Sequence, residues 1–326
     1  MLFRHARQFT QKCIALASTA AALLLLLMPG KCLAIDNLTI LLSEDGAAYT
    51  EFAASLGSLL AQGNAAKTSV KIISLATFKH EDLPRNANNQ LLIAVGTPAM
   101  TAMAQKPPAM SVLNVLVTHN AFQKIARQYG RNQDPHHFSA IYFDQPWHRQ
   151  LALIKAALPN RNRIGLLSSK ETADLLPGLA AAAKEAELQI NMETVNEDAE
   201  LLPSLRKLLN NSDVLLAVPD AAIYNRNNIP SILLNSYRQK VPLFGFSASY
   251  VKAGALAAVF STASQISQQA TEIIASLPAH GYLPLPQYPR YFTVNVNAQV
   301  NRSLSLDVED ESNLMRKLKP ATERAP

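Results

Sequence analysis

The residues best equipped for chemistry sit just after short apolar runs. In the first half they are Ser43-Glu44-Asp45, Gly96-Thr97-Pro98 and Thr118-His119-Asn120. In the second half they are Ser168-Ser169, Pro219-Asp220 and Ser247-Ala248-Ser249-Tyr250. Hydroxyls and amides dominate, with few carboxylates, a mixture that suits hydrogen bonding to a small polar ligand. Asp220 carries the charge to hold an ammonium group. Helix starts that follow such turns aim backbone N–H groups at a ligand carboxylate. The same residue types also cap helices, so each has a structural role open to it beside the binding one. The candidate ligand-binding set is Ser43, Thr97, His119, Ser168, Ser169, Asp220, Ser247 and Tyr250.

Catalytic and metal chemistry find less support. Ser249-Tyr250-Val251-Lys252 fits S-x-x-K, but the companion S-D-N and K-T-G signatures are missing. There is no G-x-S-x-G elbow, no Walker loop and no dinucleotide G-x-G-x-x-G. Asp134, His136 and His137 resemble a metal set, yet adjacent histidines do not face one ion unless a loop folds around it. We read them as a solvated loop before a strand. Trp147, the only tryptophan, reads as core. The expectation is therefore a protein with no catalytic residues, no metal and no cofactor.

The elements that must position these residues alternate along the chain. Strand candidates are Leu38-Leu42, Val70-Leu75, Leu91-Val95, Leu113-Val117 and Ala140-Phe143, then Ile164-Leu167, Leu188-Met192, Val214-Val218, Val241-Phe246 and Ala255-Phe260. Helical spacing separates most of them, as in Ala121-Tyr129, Trp147-Leu158, Ala173-Ala186 and Leu201-Leu209. Strand–helix alternation predicts parallel sheets with helices on both faces. Two sets of five strands predict an α/β protein of two Rossmann-like lobes, with ligands beyond the carboxyl ends of the strands. The seam falls at Asp144-Gln145-Pro146. We expect the first lobe over 35–145 with 261–290 returning to it, and the second over 146–260 with 291–310 crossing back. Residues 311–326 form a tail, read as a helix crossing between lobes.

The first stretch reads as a targeting segment. A basic start (Arg4, His5, Arg7, Lys12) leads into an apolar run from Ile14 to Met28, then Pro29-Gly30 and Cys32-Leu33-Ala34. This pattern predicts a cleavable signal peptide over 1–34, cut after Ala34, and a periplasmic mature chain. An uncleaved anchor is the alternative, though the run is shorter than the roughly 20 residues of a spanning helix. Lys12 and Lys31 precede the two cysteines, which does not fit a lipidation site. Removal of 1–34 takes away both cysteines, and with Arg4, Arg7, Lys12 and Lys31 four positive charges, lowering the formal +6 to +2. The basic whole-chain pI of 9.3 is then poor support for nucleic-acid binding. With 326 residues, 48% of them hydrophobic, the chain can fill two cores.

Several segments go beyond pattern. Asp213-Val214-Leu215-Leu216-Ala217-Val218-Pro219-Asp220 is followed by Ile229-Pro230-Ser231-Ile232-Leu233, by Val241-Pro242-Leu243-Phe244-Gly245-Phe246-Ser247, and by Val251-Lys252-Ala253-Gly254-Ala255-Leu256. Phe292-Thr293-Val294-Asn295-Val296-Asn297 precedes Ser303-Leu304-Ser305-Leu306. Together these resemble the ABC-transporter substrate-binding protein family, with the type I periplasmic binding-protein fold. The resemblance covers roughly Leu38 to Leu306 and is strongest from Trp147 to Val259. It implies a ligand between the lobes, a closed form read by a membrane permease, and Thr97 and Asp220 at matching loop positions. The first-strand loop matches no ligand signature, and the expected lipid anchor is missing. The reading is a monomeric periplasmic solute-binding protein that captures a small polar ligand, such as an amino acid, for an ABC-type importer. The alternative is a ligand-sensing or interaction module for a membrane receptor or outer-membrane transport system.

Overall fold

The computed structural model describes residues 35–62, 68–84, 89–277 and 282–323. The targeting segment and its cleavage point lie outside them.

The apolar runs form two sheets. In the first lobe β1 (Asn37–Leu42), β2 (Ser69–Ser74), β3 (Gln90–Val95), β4 (Ser111–Val117) and β5 (Phe138–Tyr142) lie in the order β2-β1-β3-β4-β5, all parallel. In the second, β6 (Arg163–Ser168), β7 (Gln189–Thr194), β8 (Val214–Leu216), β9 (Leu243–Gly245) and β10 (Ala257–Phe260) lie in the order β7-β6-β8-β9-β10. β11 (Thr293–Val296) adds to β10 in antiparallel register, Ala257 facing Val296. Inner strands such as β4 are buried along their whole length, because helices cover both faces of a parallel sheet.

The helices are α1 (Ala47–Gln62), α2 (Thr97–Gln105), α3 (His119–Gln128), α4 (Trp147–Ala157), α5 (Leu176–Glu185), α6 (Leu201–Asn210), α7 (Ile229–Arg238), α8 (Ala248–Ala253), α9 (Ala263–Ser276), α10 (Ala298–Ser303) and α11 (Glu311–Glu323). α9 belongs to the first lobe: Ile266, Ala270, Ile273 and Ile274 share a core with Phe52 and Leu56 of α1. β11 and α11 belong to the second, where Val294, Leu314 and Leu318 join the core of Leu151 and Ile154. The tail helix therefore does not cross between lobes. Its apolar positions Leu314 and Leu318, four apart, form one stripe that α4 covers.

The chain passes between lobes three times: at 143–146, at 261–262, and on the proline-rich approach to β11. Buried polar side chains tie these passages together. Gln145 Nε2 donates to Ser261 Oγ (2.8 Å), and Ser261 Oγ donates to the Tyr291 carbonyl (2.6 Å). Arg149 Nη1 donates to Gln145 Oε1 (2.5 Å) and to the Pro289 carbonyl (2.9 Å).

Candidate functional site

Both sheets reverse direction of growth between the first strand and the third, and that is where an open parallel sheet leaves a crevice. In the first lobe this point lies between β1 and β3. Ser43 follows β1; its Oγ donates to the Val95 carbonyl (2.7 Å) and accepts the Ala99 N–H (2.9 Å), which anchors the start of α2. Gly96 makes the turn at φ +88°. A Cβ there would meet Ser43 Oγ and Tyr49 Oη at 2.8 Å, so only glycine fits. Thr97 and Pro98 then open the helix. At the end of β4, Leu116 sits in the left-handed region (φ +53°) where the register with β5 shifts. Such a bulge re-aims the strand end, and Thr118 emerges to cap α3, its Oγ1 accepting the Ala121 N–H (3.2 Å).

In the second lobe the equivalent point lies between β6 and β8, and a carboxylate organises it. Asp220 is 2% exposed. Its Oδ2 accepts the Ser169 N–H (3.0 Å) and the Thr172 hydroxyl (2.7 Å); its Oδ1 accepts the Ala222 N–H (3.1 Å). Ser169 Oγ accepts the Glu171 N–H (3.0 Å), and Ser168 Oγ lies 3.5 Å from Thr194 Oγ1. Tyr250 hydrogen-bonds the Tyr224 carbonyl (3.2 Å) and packs against Phe246, ring centroids 4.4 Å apart. Gly245 permits that packing, since a Cβ would lie 2.4 Å from Tyr250 Cβ.

The two crevices face a common cavity of about 560 Å³. The first lobe supplies Thr97, Thr118, Asn120 and Lys124; the second supplies Glu171, Asp220, Tyr224 and Phe246. Asn120 Nδ2 donates to the Glu171 carbonyl at 2.5 Å, a direct bond between lobes.

Of the eight residues singled out from sequence, Thr97 and Asp220 line this cavity. The Asp220 carboxylate is already occupied by three donors of its own lobe, so its place in the chain reflects loop construction first. His119 lines a different cavity, with Tyr142, Arg149 and Tyr288, its ring 4.9 Å from that of Tyr142. Burial, helped by Arg127, holds the His119 imidazole below its usual pKa. Ser43, Ser168, Ser169 and Tyr250 make the internal bonds just described, and Ser247 starts α8 without a side-chain cap. Sequence reasoning named Asn120 among the strand-end residues but left it out of the candidate set, and it did not reach Lys124, Glu171, Tyr224 or Phe246. Asn120 carried a legible signal, one residue past a chosen position; Lys124 lies a turn into α3, where the strand-end rule does not reach. The two histidines of the 134–137 loop diverge: His136 Nδ1 meets the Leu283 carbonyl (2.7 Å) and His137 Nδ1 meets Asp134 (2.9 Å). Among the described residues no cluster of three or more His, Cys, Asp or Glu is placed to hold a metal. None of the helices described is long and apolar enough to cross a membrane.

Comparison with solved structures gives the same architecture. A ligand-free, open substrate-binding protein with adhesive properties from Clostridium difficile superposes with a TM-score of 0.66 at 14% identity, covering 86% of this chain and 98% of that one. A conserved domain protein from Vibrio cholerae gives 0.59 at 19%, with the same coverage. An ABC domain in complex with L-Trp from Streptococcus pneumonia gives 0.58 at 15%, again 86% and 98%. At these identities the likeness speaks for the fold. Among curated proteins no sequence match was found. The family model described as ABC transporter substrate binding protein matches residues 59–278, about two thirds of the chain. By that match, and with twin parallel sheets facing one cavity, the chain belongs to the ABC transporter substrate-binding protein family.

Proposed function

We propose that this protein captures a small zwitterion, an amino acid, in the cavity between the lobes and presents it to an ABC-type permease. The observation that carries the reading is the composition of that cavity. Its volume of about 560 Å³ suits a small molecule. It offers one cation, Lys124, and, beside the engaged Asp220, one acid, Glu171, whose carboxylate makes no ion pair among the described residues; they come from opposite lobes, with the Phe246 and Tyr224 rings as floor. Lys124 and the N-terminus of α2 at Thr97 take the ligand carboxylate. Glu171 takes the ammonium. Asp220 holds the Ser169–Thr172 loop in place around it. The Asn120–Glu171 bond acts as a latch that forms as the lobes meet, so a bound solute and the closed state favour one another. The L-Trp held by the similar fold from Streptococcus pneumonia supports the amino-acid class. Residues 1–34 serve as an export signal, which places the binding step outside the cytoplasm.

Titration calorimetry over the common amino acids tests the proposal. Saturable heat is expected with at least one of them. Lys124→Gln and Glu171→Gln each weaken that ligand by about tenfold or more, the scale of losing one partner of a charged contact. No heat with any amino acid overturns the ligand class, and unchanged affinity in both variants removes this cavity as the site.

A further inference from the structure

A second cavity, of about 610 Å³, adjoins the passages between lobes. One wall carries the guanidinium groups of Arg149 and Arg290 beside His148, whose imidazole burial and Arg149 hold below its usual pKa; the aromatic wall is built from His119, Tyr142 and Tyr288. The rings of Tyr142 and Tyr288 stand 5.1 Å apart, and that of His119 lies 5.6 Å from Tyr288.

The charges do not balance. Arg290 is compensated by Glu272 (2.8 Å). Arg149 is 3% exposed and forms an ion pair with no carboxylate among the described residues. Two neutral oxygens accept from its Nη1, and the Phe292 ring centroid lies 4.2 Å from its guanidinium carbon. Its Nε and the Nε2 of His148 are buried with no hydrogen-bond partner among the described residues. Burial lowers the Arg149 pKa only to about 10, so the group is charged at neutral pH. An isolated buried charge is costly unless something compensates it. Of the acids beside this cavity, Glu272 is engaged by Arg290 and Asp144 accepts the His119 backbone N–H (2.7 Å).

We propose that this cavity is a second ligand site, taking a small carboxylate with a flat apolar body. The carboxylate sits against Arg149 and Arg290, supplying the missing counter-charge, and the body lies against Tyr142 and Tyr288. Arg149 also links Gln145 of the first passage to Pro289 of the third, so an occupant bears directly on the hinge. The site is separate from the amino-acid cavity, and neither proposal depends on the other.

Benzoate and its neutral isostere benzamide are the probes, titrated into the protein by calorimetry. Benzoate is expected to bind saturably, one per chain, and benzamide about tenfold or more weakly, because charge-assisted bonds are the stronger ones. Arg149→Gln and Arg290→Gln each weaken benzoate by about tenfold. Arg290 is on the surface, so its variant carries the test if Arg149→Gln fails to fold. Lys124→Gln, in the other cavity, leaves benzoate affinity intact. Equal affinity for benzoate and benzamide, no benzoate binding, indifference to Arg290→Gln, or loss in Lys124→Gln would each overturn the proposal.

Discussion

The two lobes share one strand order and solve the same problem with different chemistry. At the point where the first sheet reverses, a neutral hydroxyl, Ser43, makes two bonds and leaves its neighbours Thr97 and Asn120 facing the cavity. At the equivalent point of the second sheet, a buried carboxylate, Asp220, gathers three donors from two loops. The strands differ in step: β4 spans seven residues, whereas β8 and β9 span three each. The comparison teaches that one crevice is organised by a hydroxyl after its first strand and the other by a carboxylate after its third.

The sharpest way to break this contrast is Asp220→Ala. It strips acceptors from the Ser169 N–H, the Thr172 hydroxyl and the Ala222 N–H, and unfolding in urea should show a loss of about 3–5 kcal/mol. Ser43→Ala removes one acceptor and one donor at a half-buried site, and the same measurement should give only about 1–2 kcal/mol. Equal losses would erase the distinction between the lobes. The pH-dependent effect concerns Asp144, the acid just after β5. Burial, only partly offset by the His119 N–H, raises its carboxyl from 3.8 to about 6. The folded chain therefore holds a proton that the unfolded chain releases between those values. From this group, stability rises as pH falls through about 6, and is reduced above it. Asp144→Asn keeps the acceptor and removes the charge. It should be more stable than the parent at pH 7, by up to about 3 kcal/mol, with the gap closing towards pH 4 in urea unfolding. A gap that does not vary with pH would show that Asp144 ionises freely.

Much of this architecture was legible because parallel strands buried on both faces are near-continuous apolar runs, as in Leu91-Val95 and in Leu113-Val117, which Asn114 alone interrupts. Even the exposed edges β2 and β7 kept enough β-branched or alternating character to be found. α2 escaped because Thr97–Gln105 is short and rich in alanine and methionine, which blurs any helical stripe. The tail went to the wrong place because an amphipathic stripe says only that something covers it, not what. At the site, Thr97 followed from the strand-end rule. Glu171 did not, since its position depends on how the lobes meet. Arg149 looked like any polar residue on the first turn of a helix. It is buried by the passage through Pro289, more than a hundred residues away in sequence, a contact no local pattern encodes.

Three tethers constrain motion in a way that one does not. A single linker lets two bodies swivel and twist as well as open. With 143–146, 261–262 and the segment leading to β11 pinned through Gln145, Ser261 and Tyr291, twisting would shear those bonds. What remains is a bend about one axis. In the closure proposed above, the lobes retrace one arc and bring Asn120 to Glu171 in one registry.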